Sequence, residues 1–268
     1  MLWNAKNGTV EIGDTDMYYV SFGYGSKALV VLPGLSDGLT TVKGKALLLA
    51  SPYKRFFKDY TVYMFSRKNK MPEGYSIRDM ASDQANVLKK LGITKASVMG
   101  VSQGGMIAQF LAIDHPELVE KLIIAVSAPG VNETIHGAVS AWIRMAQKGD
   151  HQSLMIDTAE RAYSQKYLKM FRKFYPVIGM IGKPRSYDRF FINAKAILEF
   201  HAYEELNKIV CPTYIIGGDD DRTVGVNGSY EMKEKIERSK LHIYKGLGHA
   251  AFDEAKDFYS RVYGFLTK

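Results

Sequence analysis

A single cysteine, Cys211, occurs in the 268 residues. No intramolecular disulfide is possible, and a lone thiol fits a reducing compartment. No apolar run approaches the roughly twenty residues that span a bilayer. The first residues, Met1 to Asn7, lack the apolar stretch of a secretory signal. These absences predict a cytoplasmic protein with no membrane span. Also missing are the helix-turn-helix, zinc-finger and RNP signatures of nucleic-acid binders, and the H-E-x-x-H of zinc proteases. Gly38 to Lys45 resembles a phosphate loop. One residue too many separates Gly38 from Gly44, however, and Ala46 stands where Ser or Thr must hold magnesium. Gly23-Tyr24-Gly25-Ser26-Lys27-Ala28 precedes a strand, whereas a dinucleotide fingerprint follows one. No cofactor and no metal site are expected.

What is present is ordinary globular chemistry, 46% apolar and 24% charged. A chain of this length buries roughly three quarters of its unfolded surface, enough for one large domain or one domain with an inserted subdomain. The net charge is +8 and the pI about 9.3. Part of the excess collects between Lys43 and Lys70, where Lys54, Arg55, Arg67 and Lys68 are opposed only by Asp59. The cluster is read as a solvated face that attracts anionic substrates rather than as a nucleic-acid surface.

Apolar periodicity alternates between the two regular structures. Met17 to Phe22, Ala28 to Leu32 and Thr61 to Phe65 read as strands, the first two separated by the turn Gly23 to Ser26. Ser76 caps a predicted helix to about Leu91, with Gly92 at its end. A strand from Ala96 to Met99, a helix from Gly104 to Ile113 and a strand from Leu122 to Val126 follow. Near-continuous apolar strands alternating with helices indicate a parallel sheet covered on both faces. The rhythm breaks over residues 131–205, which are helical in pattern and rich in Met and aromatic residues. It resumes with a strand from Thr213 to Gly217, a helix near Tyr230 to Ile236, a strand from Leu241 to Tyr244 and a final helix from Asp253 to Leu266.

The most informative segment is Gly100-Val101-Ser102-Gln103-Gly104, a G-x-S-x-G pattern between a predicted strand and a predicted helix. Such a sharp turn lifts the serine hydroxyl above a sheet as a nucleophile, and glycines let strand and helix approach. A serine needs a base, and the base an orienting acid. Of six histidines, His249 alone lies in a glycine-rich loop (Gly246-Leu247-Gly248-His249) between the last strand and the last helix. The others read as structural, in a turn (His115), in or beside the insertion (His136, His151, His201) or within a strand (His242). The acid belongs on the loop after the preceding strand, where Asp219, Asp220 and Asp221 stand.

These three motifs, in this order, resemble the α/β-hydrolase family over nearly the whole chain outside the insertion. The resemblance implies a mostly parallel, doubly wound, eight-stranded α/β sheet with helices on both faces. Residues 1–130 and 206–268 form the core, and 131–205 an inserted α-helical cap or lid. The family's Gly-x-x-Asp element, laid on Gly218 to Asp221, selects Asp221, with Asp220 as the alternative. For the oxyanion hole, one donor is the backbone N–H of Gln103, after the nucleophile. The other, by resemblance, is that of Leu35 in Val31-Leu32-Pro33-Gly34-Leu35. Pro33 replaces the histidine that commonly braces this loop, and Ser36 and Asp37 are candidates to face the substrate.

The implied activity is that of a cofactor-independent serine hydrolase, a carboxylesterase acting on a small to medium, partly apolar ester. Ser102, His249 and Asp221 form its triad. Activity should fall on acidification, because a protonated imidazole cannot act as base. The same triad resembles those of carbon–carbon bond hydrolases, enol-lactonases, perhydrolases and acyltransferases, and of ligand receptors that retain it. Trp often follows the histidine in carbon–carbon hydrolases; here it is Ala250. The partner is a small-molecule ester or related acyl compound, the protein a monomer or homodimer.

Overall fold

The computed structural model describes residues 2–268. One sheet holds eight strands: β1 (Lys6–Ile12), β2 (Thr15–Gly23), β3 (Lys27–Leu32), β4 (Tyr60–Phe65), β5 (Ala96–Val101), β6 (Val119–Ala125), β7 (Thr213–Gly218) and β8 (Ser239–Tyr244). Their order is β1-β2-β4-β3-β5-β6-β7-β8. β2 pairs antiparallel with both β1 and β4. Every pairing from β4 across to β8 is parallel. β3, β5 and β7 are buried along most or all of their length, the pattern of strands covered on both faces. β1 was not expected from the sequence. Only Val10 and Ile12 of its seven residues are buried, so this edge strand lacks an apolar signature.

The helices are α1 (Ala46–Ala50), α2 (Ile77–Lys90), α3 (Gln103–Asp114), α4 (Glu133–Gln147), α5 (His151–Ala162), α6 (Gln165–Phe171), α7 (Tyr175–Ile178), α8 (Asp188–Leu198), α9 (Asn227–Lys235), α10 (Ala251–Glu254) and α11 (Phe258–Leu266). Ser76 caps α2 as expected, accepting from the N–H of Asp79, whose carboxylate takes the Ser76 N–H in return. The predicted final helix is broken in two. Ala255 turns extended, and the Asp257 carboxylate accepts hydrogen bonds from Tyr244 Oη of β8 (3.0 Å) and from Arg261 (2.5 Å). These bonds anchor α11 to the last strand.

Two apolar clusters lie in the fold. One joins β3 and β5 to α2, α3 and the inserted helices; the other includes Phe56, Tyr60, Phe258 and Val262. Helices α4 to α8 all fall between β6 and β7, and no strand interrupts them. The base of this insertion is pinched by an isolated bridge between Gly130 and His201 and by the Ala202 N–H donating to Pro129 O at 2.7 Å. Among the described residues, no helix is long and apolar enough to cross a membrane.

Candidate active site

Ser102 occupies the turn between β5 and α3 with φ 54° and ψ −122°, a conformation costly for any non-glycine residue. The surroundings hold it there. Its N–H donates to Ala125 O (2.9 Å), and its carbonyl accepts from Ser127 Oγ (2.9 Å). Ser127 is itself set by Val126, a β-branched residue at φ 44° whose N–H donates to Ile216 O (2.7 Å). The glycines of the motif are required by contact. A Cβ on Gly104 would lie 1.9 Å from Leu32 O, and one on Gly100 2.2 Å from Gly104 O.

The loops after β7 and β8 are joined through main chain. A Cβ on Gly218 would lie 2.3 Å from Leu247 O. The Asp220 N–H donates to that same carbonyl (3.0 Å), and the Gly246 N–H to Asp219 Oδ1 (2.6 Å). The three consecutive aspartates thus diverge in role. Asp219 ties the loops together, Asp220 is exposed, and Asp221 is buried. The Asp221 Oδ1 accepts from the N–H groups of Thr223 (2.8 Å) and Val224 (2.9 Å). Its Oδ2 takes the Nδ1–H of His249 at 2.8 Å, which leaves Nε2 as the imidazole's free nitrogen. Ser102 and His249 line one cavity.

The turn Leu35–Gly38 also borders Ser102. A Cβ on Gly34 would stand 3.3 Å from Ser102 Cβ and 3.7 Å from its Oγ. Leu35 and Gln103 are each the first residue of a helical segment, so their N–H groups have no intrahelical acceptor. Free N–H donors of this kind are what a developing oxyanion requires.

This turn is braced by a buried charge network that the sequence did not reveal. Asp37 Oδ2 accepts from the Arg67 N–H (2.9 Å) and from Arg189 Nη2 (2.7 Å), while Arg189 Nε donates to Asp37 O (3.0 Å). Arg67 Nη2 donates to Gln103 Oε1 (2.8 Å), and Gln103 Nε2 to Asn193 O of α8 (2.9 Å). One network therefore links the turn, the residue after Ser102 and an inserted helix. Arg67 and Asp37 are each only 2% exposed. Burial pulls the Arg67 guanidinium down to about 10 against the opposing attraction of Asp37. Two expectations are corrected. Arg67 does not belong to a solvated basic face, and Asp37 faces arginines rather than the cavity. Other cations of that stretch lie over aromatic rings: Lys43 over Tyr18, Lys54 over Trp3 and Lys68 over Tyr75. His151, one of the histidines read as structural, is buried and bonded to Tyr187 Oη and Ile181 O.

The cavity measures about 380 Å³. Trp142, Leu154, Met155 and Phe190 of the insertion form much of its wall, and Ser36 lines it as expected. Among the described residues lining it there is no Lys, Arg, Asp or Glu. Its polar groups are mostly engaged elsewhere: Tyr163 Oη donates to Asp253 (2.8 Å) and Thr158 Oγ1 to Leu154 O (2.8 Å). Thr223 Oγ1, by contrast, is buried without a partner. No three His, Cys, Asp or Glu among the described residues are grouped as a metal ion would require.

The model of the alpha/beta hydrolase fold family matches residues 59–178. RutD of Serratia proteamaculans, a proposed carbamate hydrolase, is 42% identical over 224 residues, 75% of this chain and 76% of that protein. The chain belongs to the α/β-hydrolase family. A 2-hydroxy-6-oxononadienedioate/2-hydroxy-6-oxononatrienedioate hydrolase of a Pseudomonas species is 26% identical over 98% of this chain and 93% of its own. Among solved structures, MGS-M2, an alpha/beta hydrolase from a deep-sea metagenome library, superposes with a TM-score of 0.86 at 20% identity. The match covers 97% of this chain and 98% of that one. The eight-stranded, mostly parallel sheet anticipated for the family is the one observed.

Proposed function

We propose that this α/β-hydrolase is a cofactor-independent serine hydrolase that cleaves small to medium, partly apolar carboxylic esters through an acyl-enzyme. The observation that carries the reading is the constellation at one cavity: Ser102 on a strained turn, His249 lining the same cavity, and Asp221 bonded to His249 Nδ1. Ser102 Oγ attacks the acyl carbon while His249 Nε2 takes its proton. Asp221 holds the ring's tautomer and stabilises the imidazolium. The N–H groups of Leu35 and Gln103 receive the oxyanion. The tetrahedral intermediate collapses, and the departing alcohol takes the proton from His249. Water, deprotonated by His249, then attacks the acyl carbon and releases the acid and free Ser102. In this reading residues 131–205 serve as the cap over a core of 1–130 and 206–268.

The cavity lining favours a neutral acyl group. A dioate, as in the name of the Pseudomonas relative, would find no cation there. Arg67 and Arg189, the arginines behind the oxyanion turn, are held by Asp37. Ala250 after His249 also argues against carbon–carbon bond cleavage. The test is a panel of p-nitrophenyl esters of increasing acyl length, with Ser102→Ala as control. Turnover by the wild type and a loss of at least about 10⁴ in kcat for the variant are expected. Undiminished turnover by Ser102→Ala, or no ester cleaved by the wild type, contradicts the proposal.

A further inference from the structure

The cap's outer surface carries an unusual combination of side chains. Residues 165–178 form one continuous helical run, through α6, a 3-10 turn over Arg172–Phe174, and α7. Leu168 and Ile178 face inward and are buried. Tyr175 holds the same side in place, its Oη donating to Glu160 (2.8 Å) while its carbonyl accepts from Gln152 Nε2 (3.0 Å). Met170, Phe174 and Val177 of the same run are turned to the outside. All three are exposed, as are Met180 and Ile181 in the turn that follows; Met180 is 81% exposed. A surface helix of a globular protein normally keeps one apolar stripe, turned inward. This one has a second stripe with nothing to cover it.

Within the segment itself the charge is of one sign, the neighbouring Glu160 being taken up by Arg172 and Tyr175. From residue 161 to residue 187 there is no Asp or Glu. Lys166, Lys169 and Lys173 run beside the apolar positions on the helix, and Lys183 and Arg185 follow the turn. All five are exposed and form no ion pair within the chain among the described residues. Exposed Met and Phe rimmed by unpaired Lys and Arg match the two parts of an anionic lipid surface, acyl chains beneath and phosphates above. A second copy of this chain would instead bring the same cations against themselves. The stripe also ends at the site, since Ile181 and Gly182 line the cavity.

We propose that the segment 165–185 docks the protein peripherally on anionic membrane surfaces, Met170, Phe174, Val177 and Met180 entering the interface while the lysines meet lipid phosphates. An ester dissolved in that surface then meets the mouth of the cavity. The inference stands apart from the catalytic reading, and its test uses binding alone. Wild-type protein is sedimented with phosphatidylcholine vesicles, with or without about one-third phosphatidylglycerol. Partition onto the anionic vesicles is expected, with little onto neutral ones, and loss as salt is raised. Phe174→Ser with Met180→Ser, and separately Lys169→Glu with Lys173→Glu, should each weaken partition at least about tenfold. Melting temperatures should stay unchanged, and Lys169→Arg with Lys173→Arg should bind as wild type. The inference is overturned if the wild type stays in solution, binds both vesicle types equally, or binds undiminished in either variant. Size-exclusion showing a dimer that Phe174→Ser with Met180→Ser dissociates overturns it too, assigning the face to a second copy.

Discussion

The cavity's two walls rest on different interactions. On the sheet side, contacts run between main chains and through buried charge. Glycines admit carbonyl oxygens closer than a Cβ allows, and Asp37 gathers the turn Leu35–Gly38, Arg67 and Arg189 around one carboxylate. On the cap side, Trp142, Leu154, Met155 and Phe190 contribute shape and apolar area. The first wall has no slack, because a shifted carbonyl or an unpaired arginine has nowhere to go. The second tolerates exchange of one apolar group for another of similar volume. Under the proposed reading, the sheet side would set the chemistry and the inserted helices the choice of substrate.

The comparison breaks most sharply at Asp37. Asp37→Asn leaves Arg67 and Arg189 without a counter-charge, at a cost of about 3–5 kcal/mol. Chemical denaturation measures the loss, and kcat should fall with it, because Asp37 and Leu35 share one turn. A variant as stable as wild type would mean that the network does not brace the turn. On the cap side, Leu154→Ala should shift the preference between long and short acyl chains by about tenfold or more in kcat/KM, in favour of the longer. An unaltered ester profile would remove Leu154 from the substrate site.

Smaller effects sharpen the contrast. Thr223 Oγ1 is the buried hydroxyl at the cavity without a protein partner. Thr223→Val should leave stability within about 1 kcal/mol of wild type or raise it, while KM rises only for esters carrying an acceptor able to reach that hydroxyl. A clear fall in melting temperature would show that the hydroxyl is already satisfied in the fold. Smallest is the ion pair far from the cavity, where Arg78 joins Asp114 and Glu205. Hydrogen bonds from Arg78, then Lys208, hold the Glu205 carboxyl down to about 2 from an ordinary 4.5. The resulting stability is present above pH 4.5 and is lost as pH falls toward 2. In this half-exposed setting Glu205→Gln should cost less than about 1 kcal/mol at neutral pH and nothing near pH 2. A larger penalty at low pH than at neutral pH would reverse that assignment.

How much of this was legible in the sequence follows from the same division. Ser102, Asp221 and His249 are each announced by a glycine-bearing loop after an apolar strand, because positioning them requires short-range main-chain geometry. In the fold Ser102 follows β5, Asp221 follows β7 and His249 follows β8; Ser102 and His249 line one cavity, and Asp221 accepts from His249 Nδ1. Arg67 was invisible because nothing local marks a cation as buried. Its partner Asp37 stands thirty residues earlier and Arg189 is in the cap, so only tertiary packing assembles the group. Pro33, in place of a bracing histidine, was the available hint that support came from elsewhere. β1 is not legible, because an edge strand with two buried residues has little apolar alternation. The insertion between β6 and β7 was legible as helical. Its inward and outward faces were not, since both sides of residues 165–178 carry large apolar groups.

The central claim is that Ser102 is the nucleophile, and covalent labelling measures it most directly. Wild type and Ser102→Ala are treated with a fluorophosphonate and weighed intact by mass spectrometry, the adduct then being located by peptide mapping. The account predicts one adduct per chain, on Ser102 and abolished by the substitution. Labelling that persists in Ser102→Ala, or an adduct mapped to another residue, would contradict it.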